Sequence, residues 1–266
     1  MKLFSYWLGR GLLPLCALWL CTAAGQAQSI SLTTPGAAYT QNFDTLSNTA
    51  GSTTNNLTIL GWFMTESGGG ARDNEQYAVD TGSSTTGDTY SYGAAASTDR
   101  ALGGLQSGTL IPVFGASFVN STGATITGLQ ISYNGEQWRL GTAGRTDQIN
   151  FEYSTNATDL VSGTWTGVSA LNFVTPDTLT VGAKNGNAAS ERTAVSSTIN
   201  SLSIPDSASF WIRWTDTDSS GADDGLAVDD FSLTPNTVPE PSSLLLAMAG
   251  AAGLLGFRRR NGTVQG

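Results

Sequence analysis

From Ile126 the chain writes apolar side chains onto one face of an extended strand. Leu129, Ile131 and Tyr133 follow on the same side, and Gln130, Ser132 and Asn134 take the other. A two-residue period is that of a half-buried strand, because successive side chains on a strand point to opposite faces. The pattern returns at Ile149, Phe151 and Tyr153 against Asn150 and Glu152. It returns again at Phe210, Ile212 and Trp214 against Trp211 and Arg213. Long runs at the helical period are absent from the body of the chain. Clusters of Gly, Asn, Asp and Ser separate the short apolar runs, as in an all-β domain. Without βαβ spacing, the expected fold is an all-β, two-sheet sandwich of jelly-roll type.

Taken in order, opening strands are expected at residues 29–33 and 38–43, then a polar loop over 45–56. Residues 57–65 read as a strand with Trp62 and Met64 in the core. Residues 67–93 read as short strands in long loops, and 109–120 as a buried strand containing Val113, Phe114 and Phe118. Asn134-Gly135 is the dipeptide of a tight hairpin, which makes residues 136–140 a returning strand. Residues 193–204 are expected to form a strand pair. In the last strand, residues 226–234, the apolar set moves from Leu226 and Val228 to Phe231 and Leu233. That change of parity at Asp229-Asp230 requires a bulge or a strand buried on both faces.

Two residue patterns resemble known families. The stretch from Asp224 to Leu233 (Asp-Gly-Leu-Ala-Val-Asp-Asp-Phe-Ser-Leu) is similar to the last strand of jelly-roll modules in the MAM and concanavalin-like group. Phe43-Asp44 and Gly61-Trp62 loosely resemble their opening strands. This resemblance implies a binding or adhesive module and names no ligand. At the other pattern, Val238-Pro239-Glu240-Pro241 precedes an uncharged run over 242–257 and then Arg258, Arg259 and Arg260. As a helix the run would extend roughly 24 Å at 1.5 Å per residue, somewhat short of a hydrocarbon core of about 30 Å. The arginines are expected on the cytoplasmic side, and the two prolines favour an extended, accessible peptide before the run. Together the three parts resemble a PEP-CTERM sorting signal. That resemblance implies an exosortase-type membrane protease as partner and transient parking in the inner membrane of a Gram-negative bacterium. It further implies delivery to the cell surface or the extracellular, biofilm-type matrix.

The expected organisation is therefore a signal peptide (1–27), a β-sandwich (28–237), a sorting signal with a transmembrane helix (238–260) and a polar tail (261–266). Lys2 and Arg10 flank the apolar core of the signal helix, and Gly25-Gln26-Ala27 places cleavage between Ala27 and Gln28. Cys16 and Cys21 both fall in this leader, so the mature chain carries no disulfide or thiol chemistry. It has no histidine either, which excludes Ser-His-Asp and Cys-His machinery and histidine-ligated zinc. Over residues 28–237, seven Lys and Arg face twenty Asp and Glu. A net charge of about −13 repels nucleic acid and anionic lipid and attracts divalent cations.

The run Asp216-Thr217-Asp218-Ser219-Ser220-Gly221-Ala222-Asp223-Asp224 begins with the ligand spacing of a calcium loop. Ala227 stands where an EF-hand needs glutamate. Asp216, Asp218, Asp223 and Asp224 therefore form either a calcium site in a β-loop or an acidic turn between strands. Asp229-Asp230 is expected to fix the neighbouring loop through hydrogen bonds. Among the mature chain's five tryptophans, Trp211 and then Trp138 are the expected exposed platforms for sugar stacking, with core packing as the alternative. No catalytic residues are assigned. The leading expectation is a non-enzymatic surface or matrix protein that binds polysaccharide or protein. The alternatives are a carboxylate-based polysaccharide hydrolase, which requires a cleft with two carboxylates, one of raised pKa, and a self-associating structural protein.

Overall fold

The computed structural model describes residues 28–238. The expected signal peptide through Ala27, the motif residues Pro239, Glu240 and Pro241, the apolar run and Arg258–Arg260 lie outside the described residues. So do the expected flanking helices. Among the described residues no helix is long and apolar enough to cross a membrane.

Fifteen strands are described. They are β1 (Ile30–Leu32), β2 (Tyr39–Gln41), β3 (Trp62–Ser67), β4 (Ala78–Asp80), β5 (Asp88–Tyr92), β6 (Ala101–Leu105), β7 (Ile111–Asn120) and β8 (Thr125–Leu140). Then follow β9 (Gln148–Ser154), β10 (Thr166–Gly167), β11 (Phe173–Val174), β12 (Gly182–Ala183), β13 (Arg192–Ile199), β14 (Ser209–Asp216) and β15 (Gly225–Val238). One 3-10 turn, Ser169–Leu171, interrupts them.

The strands form two sheets. The front sheet runs β1-β7-β14-β9-β10, with β3 beside β7 and β11 beside β9; the back sheet runs β12-β8-β15-β6-β5-β4, with β13 beside β8 and β2 beside β15. Pairing is antiparallel except for β1 with β7 and β4 with β5. The expected alternations place one face of each sheet in a shared core. Phe210, Ile212, Trp214, Phe151 and Phe118 come from the front, and Leu129, Ile131, Tyr133, Phe231 and Leu233 from the back. Trp214 is wholly buried at the centre. It stacks on Trp62 (centroids 6.0 Å apart) and Phe114 (5.6 Å), with Tyr133, Phe151 and Phe231 edge-on. Edge-to-face and offset geometries suit the ring quadrupoles, so this cluster adds directional packing to its apolar burial.

Three local expectations give way to tertiary context. Asn134-Gly135 makes no hairpin: β8 runs straight through it, with Asn134 opposite Ala194 and Asp229, and Gly135 opposite Thr193 and Val228. The glycine serves packing there, since a Cβ on Gly135 would lie 2.3 Å from the Phe173 ring. Residues 57–61 are not strand; Gly61, at φ +74°, turns the chain and β3 starts at Trp62. Residues 193–204 give the single strand β13, and Ile204 returns only as a bridge to Ile126. At Asp229-Asp230, by contrast, the anticipated bulge is present: the register against β8 jumps between Asp229 and Ser232, and Asp230 has φ +49°. Leu226 to Asp229 are also buried on both faces.

Candidate functional site

On β14, Phe210, Ile212 and Trp214 enter the core, so Trp211 and Arg213 face outward from the front sheet. Phe63 packs against Trp211 there, ring centroids 5.0 Å apart and tilted 40°. Val113, Ala157 and Leu160 complete a small apolar cluster around Trp211. Above it lies a groove of about 340 Å³, with Phe63, Met64 and Trp211 in its lining, Leu160 and Val161 beside them, and Glu75 and Asp159 among its polar groups.

The wall carrying Leu160 and Val161 is preformed. Asp159 Oδ1 accepts hydrogen bonds from the amides of Val161 (2.9 Å) and Ser162 (2.7 Å). Those amides hold the Asp159 carboxyl below its ordinary pKa. Arg213 donates through Nε to Glu152 (2.7 Å) and through Nη1 to the Leu160 carbonyl. The Trp165 ring centroid lies 4.0 Å from its guanidinium carbon. Opposite, Glu75 accepts from the Thr65 hydroxyl (3.2 Å) and the Glu66 amide (3.2 Å). Val161 is left 70% exposed at the lip. This arrangement offers an aromatic floor, a branched apolar lip, two hydroxyls and two carboxylates to one ligand.

Trp211 therefore reaches the groove, but at 7% exposure it offers little surface to a ligand. Trp138, the other expected platform, is 1% exposed and offers none. It stacks on Tyr92 on the outer side of the back sheet (6.0 Å, 4°), and its indole donates to Glu136 (3.0 Å). The segment at Lys184–Gly186 covers it: the Lys184 amide donates to the Trp138 carbonyl (2.7 Å), and a Cβ on Gly186 would lie 2.4 Å from the indole nitrogen. A large tryptophan on the strand face opposite the core reads as exposed until another loop is laid over it. Phe63, which lines the groove, is not singled out by the sequence, because its own strand shows only that it points away from Trp62.

The acidic loop closes on the protein itself. Asp224 is fully buried and accepts from the Gly141 amide (2.7 Å), the Thr175 hydroxyl (2.8 Å) and Gln137 (3.4 Å). Asp223 accepts from the Ser219 amide (3.0 Å). Asp147, far away in sequence, joins them by accepting from Ser219 Oγ (2.9 Å) and the Asp224 amide (3.0 Å). Arg145 lies between Asp147 (3.1 Å) and Asp223 (3.7 Å). Burial, with the Asp147 and Asp223 charges behind it, pushes Asp216 upward; burial also raises Asp223 to about 6. Asp218 is exposed. Among the described residues no three acidic side chains converge where a metal ion would lie. Asp229 and Asp230 act as latches: Asp229 accepts from the Asp230 amide (2.7 Å), and Asp230 pairs with Arg192 (2.9 Å) and Asn134 (2.8 Å).

Carboxylates of raised pKa do occur together elsewhere. Burial first, then the charge of Glu66, lifts Asp88 to about 8, although Arg72 stands 2.8 Å away. Burial lifts Glu136 to about 7, and burial plus the Glu136 charge lifts Asp229 to about 8. Asp88, Glu136 and Asp229 are all buried. A second cavity of about 290 Å³ is lined by Asn48, Asp80, Thr81 and Arg100 among others. The Arg100 guanidinium there is already engaged by Ser91 and by the Ala94 and Asp80 carbonyls.

The PEP-CTERM protein-sorting motif matches residues 237–260. The motif marks an exported chain and implies handling by an exosortase-type system. No curated protein matches the sequence. Among solved structures, the chain is similar to the K3 cleaved adhesin domain of Lys-gingipain from Porphyromonas gingivalis. Identity is 12% and the TM-score 0.38, covering 65% of this chain and 90% of that one. It is also similar to TmCBM61, solved in complex with β-1,4-galactotriose, at 10% identity and TM-score 0.34 over 74% and 99% of the two chains. A third similarity is to the enzymatically active domain of tailspike protein 4 of bacteriophage CBA120, at 13% identity and TM-score 0.35. The match covers 73% of this chain and only 21% of the tailspike's length. These scores are too low to carry an argument.

Proposed function

We propose that this exported protein works without catalysis at the cell surface or in the matrix, where the front groove binds a neutral polysaccharide. The observation that carries this reading is the groove itself. The partly exposed Phe63 in its floor suits the apolar face of a sugar ring. Glu75, Asp159, Thr65 and Thr158 line it with acceptors for hydroxyl groups, and they disfavour an anionic chain. The net negative charge of the body acts in the same direction. Pockets that combine an apolar lining with a few placed polar groups are the usual form of small-ligand sites. The two-sheet body is on this reading a jelly roll. The buried carboxylates of raised pKa stand apart from the groove, closed to a substrate within the fold.

Titration of the exported protein with neutral and uronic-acid polysaccharides, followed by tryptophan fluorescence and calorimetry, tests the reading. Binding of a neutral glycan that is lost in Trp211→Phe and Phe63→Ala together supports it. Equal binding of charged and neutral chains, or binding untouched by both substitutions, rejects it. Hydrolysis of any of these glycans by the exported protein would reject the non-catalytic half.

A further inference from the structure

The sorting motif and the fold overlap. The motif match starts at residue 237, while β15 continues through Val238. Thr237 lies opposite Ile126 and Val238 opposite Thr125 in the ladder with β8. This is no loose end: Asn236 faces Gly128, the Pro235 carbonyl accepts from the Gly36 amide (3.1 Å), and Ile126 is wholly buried. Ile126 is further held by its bridge to Ile204. Only residues 239–241 separate the last paired residue from the uncharged run that begins at Ser242. Fully extended, three residues reach about 11 Å. The chain has no linker between its sheet and its sorting signal.

An enzyme that binds its substrate as an extended peptide takes up the backbone hydrogen-bonding groups and reads alternate side chains. Val238 cannot give its backbone to β8 and to such an enzyme at once. We propose that the last pairs of β15 gate recognition of the motif: the exosortase-type enzyme takes the segment only after Thr237 and Val238 leave β8. The proposal rests on the sorting reading of the tail. The bulge in register between Asn236 and Thr237 gives the opening a natural boundary. Residues beyond it can peel away while Leu233 and Phe231 keep the core closed. Strand ends lie at the low-stability end of local opening, so the gate slows recognition without forbidding it.

Two variants of the full chain, expressed in a host with an exosortase-type system, test this by the rate at which the tail is processed. Six Gly/Ser residues inserted between Thr237 and Val238 leave Val238-Pro239-Glu240-Pro241 intact and free it from the ladder. Processing should quicken about tenfold, the change that about 1.4 kcal/mol of lost pairing produces. Ile126→Cys with Thr237→Cys can lock the neighbouring pair without touching Val238-Pro239-Glu240-Pro241, and residues 28–266 hold no other cysteine. Processing should stop when the bridge is oxidised and resume when it is reduced, which separates locking from damage to the motif. Unchanged rates in the insertion variant and in the oxidised double variant would overturn the gate. Pro239→Ala with Glu240→Ala is the separate control: if that chain is still processed normally, the sorting reading itself fails.

Discussion

The two sheets turn very different outer faces to the surroundings. On the front, Trp211 and Phe63 floor an open groove, and the adjacent charges are matched, Arg213 with Glu152 and with the Trp165 ring. On the back, Trp138, Tyr90 and Tyr92 form a cluster as aromatic as the groove, but loops cover it. Asp88, Glu136 and Asp229 are buried on that covered side with their pKa values raised. An aromatic patch becomes a binding surface or a second small core according to whether a loop crosses it. Covering it also takes water from nearby carboxylates, so the roofed face is pH-sensitive, as is the acidic loop where burial raises Asp216 and Asp223.

The largest expected effect lies on the roofed side. Trp138→Ala should cost about 3–5 kcal/mol, the usual range for emptying a buried aromatic site. Denaturant unfolding measures it, and glycan affinity of the folded fraction should stay unchanged. A loss of affinity with little loss of stability would reverse the roles of the two faces.

Next in size is the response to pH. Asp88, Glu136 and Asp229 hold protons more tightly in the folded chain than in the unfolded one, where carboxyls titrate near 4. Their contribution is therefore complete at acid pH and is lost as pH rises from about 4 through 7 and 8. The melting temperature should fall between pH 5 and pH 8.5. The loss should be on the order of 2 kcal/mol, taking only part of the 1.36 kcal/mol per pKa unit for each group. Asp88→Asn with Glu136→Gln should flatten the slope in part, the remainder belonging to Asp216 and Asp223 in the acidic loop. A slope unaffected by the back-face pair would remove the distinction.

The smallest effect belongs to the groove. Phe63→Ala should weaken binding of a neutral glycan about tenfold, or about 1.4 kcal/mol. Because Phe63 is only partly buried, its unfolding midpoint should move much less than that of Trp138→Ala.

Much of this architecture was legible in the residues. The alternations at Leu129–Tyr133, Ile149–Tyr153 and Phe210–Trp214 are the two halves of the core, because burial on one face imposes a two-residue period. The parity change at Asp229-Asp230 gave away its bulge for the same reason. Asn134-Gly135 misled because a turn dipeptide reports only local preference; the Phe173 ring on its far side is distant in sequence. The groove was half legible. Trp211 could be placed on the outer side of its strand, but its partners Phe63 and Leu160 come from β3 and from the loop after β9.

By itself, the sequence determined the all-β class, the strand faces, the absence of histidine, the absence of cysteine from residues 28–266 and the sorting motif. Each of these depends on residue identity or short-range spacing. The tertiary structure alone decided which tryptophan stays near solvent and which is covered, that Arg145 and Asp147 join the acidic loop, and that the motif begins inside a paired strand. Those outcomes depend on contacts between segments tens of residues apart, where burial and desolvation are set by whatever the fold brings alongside.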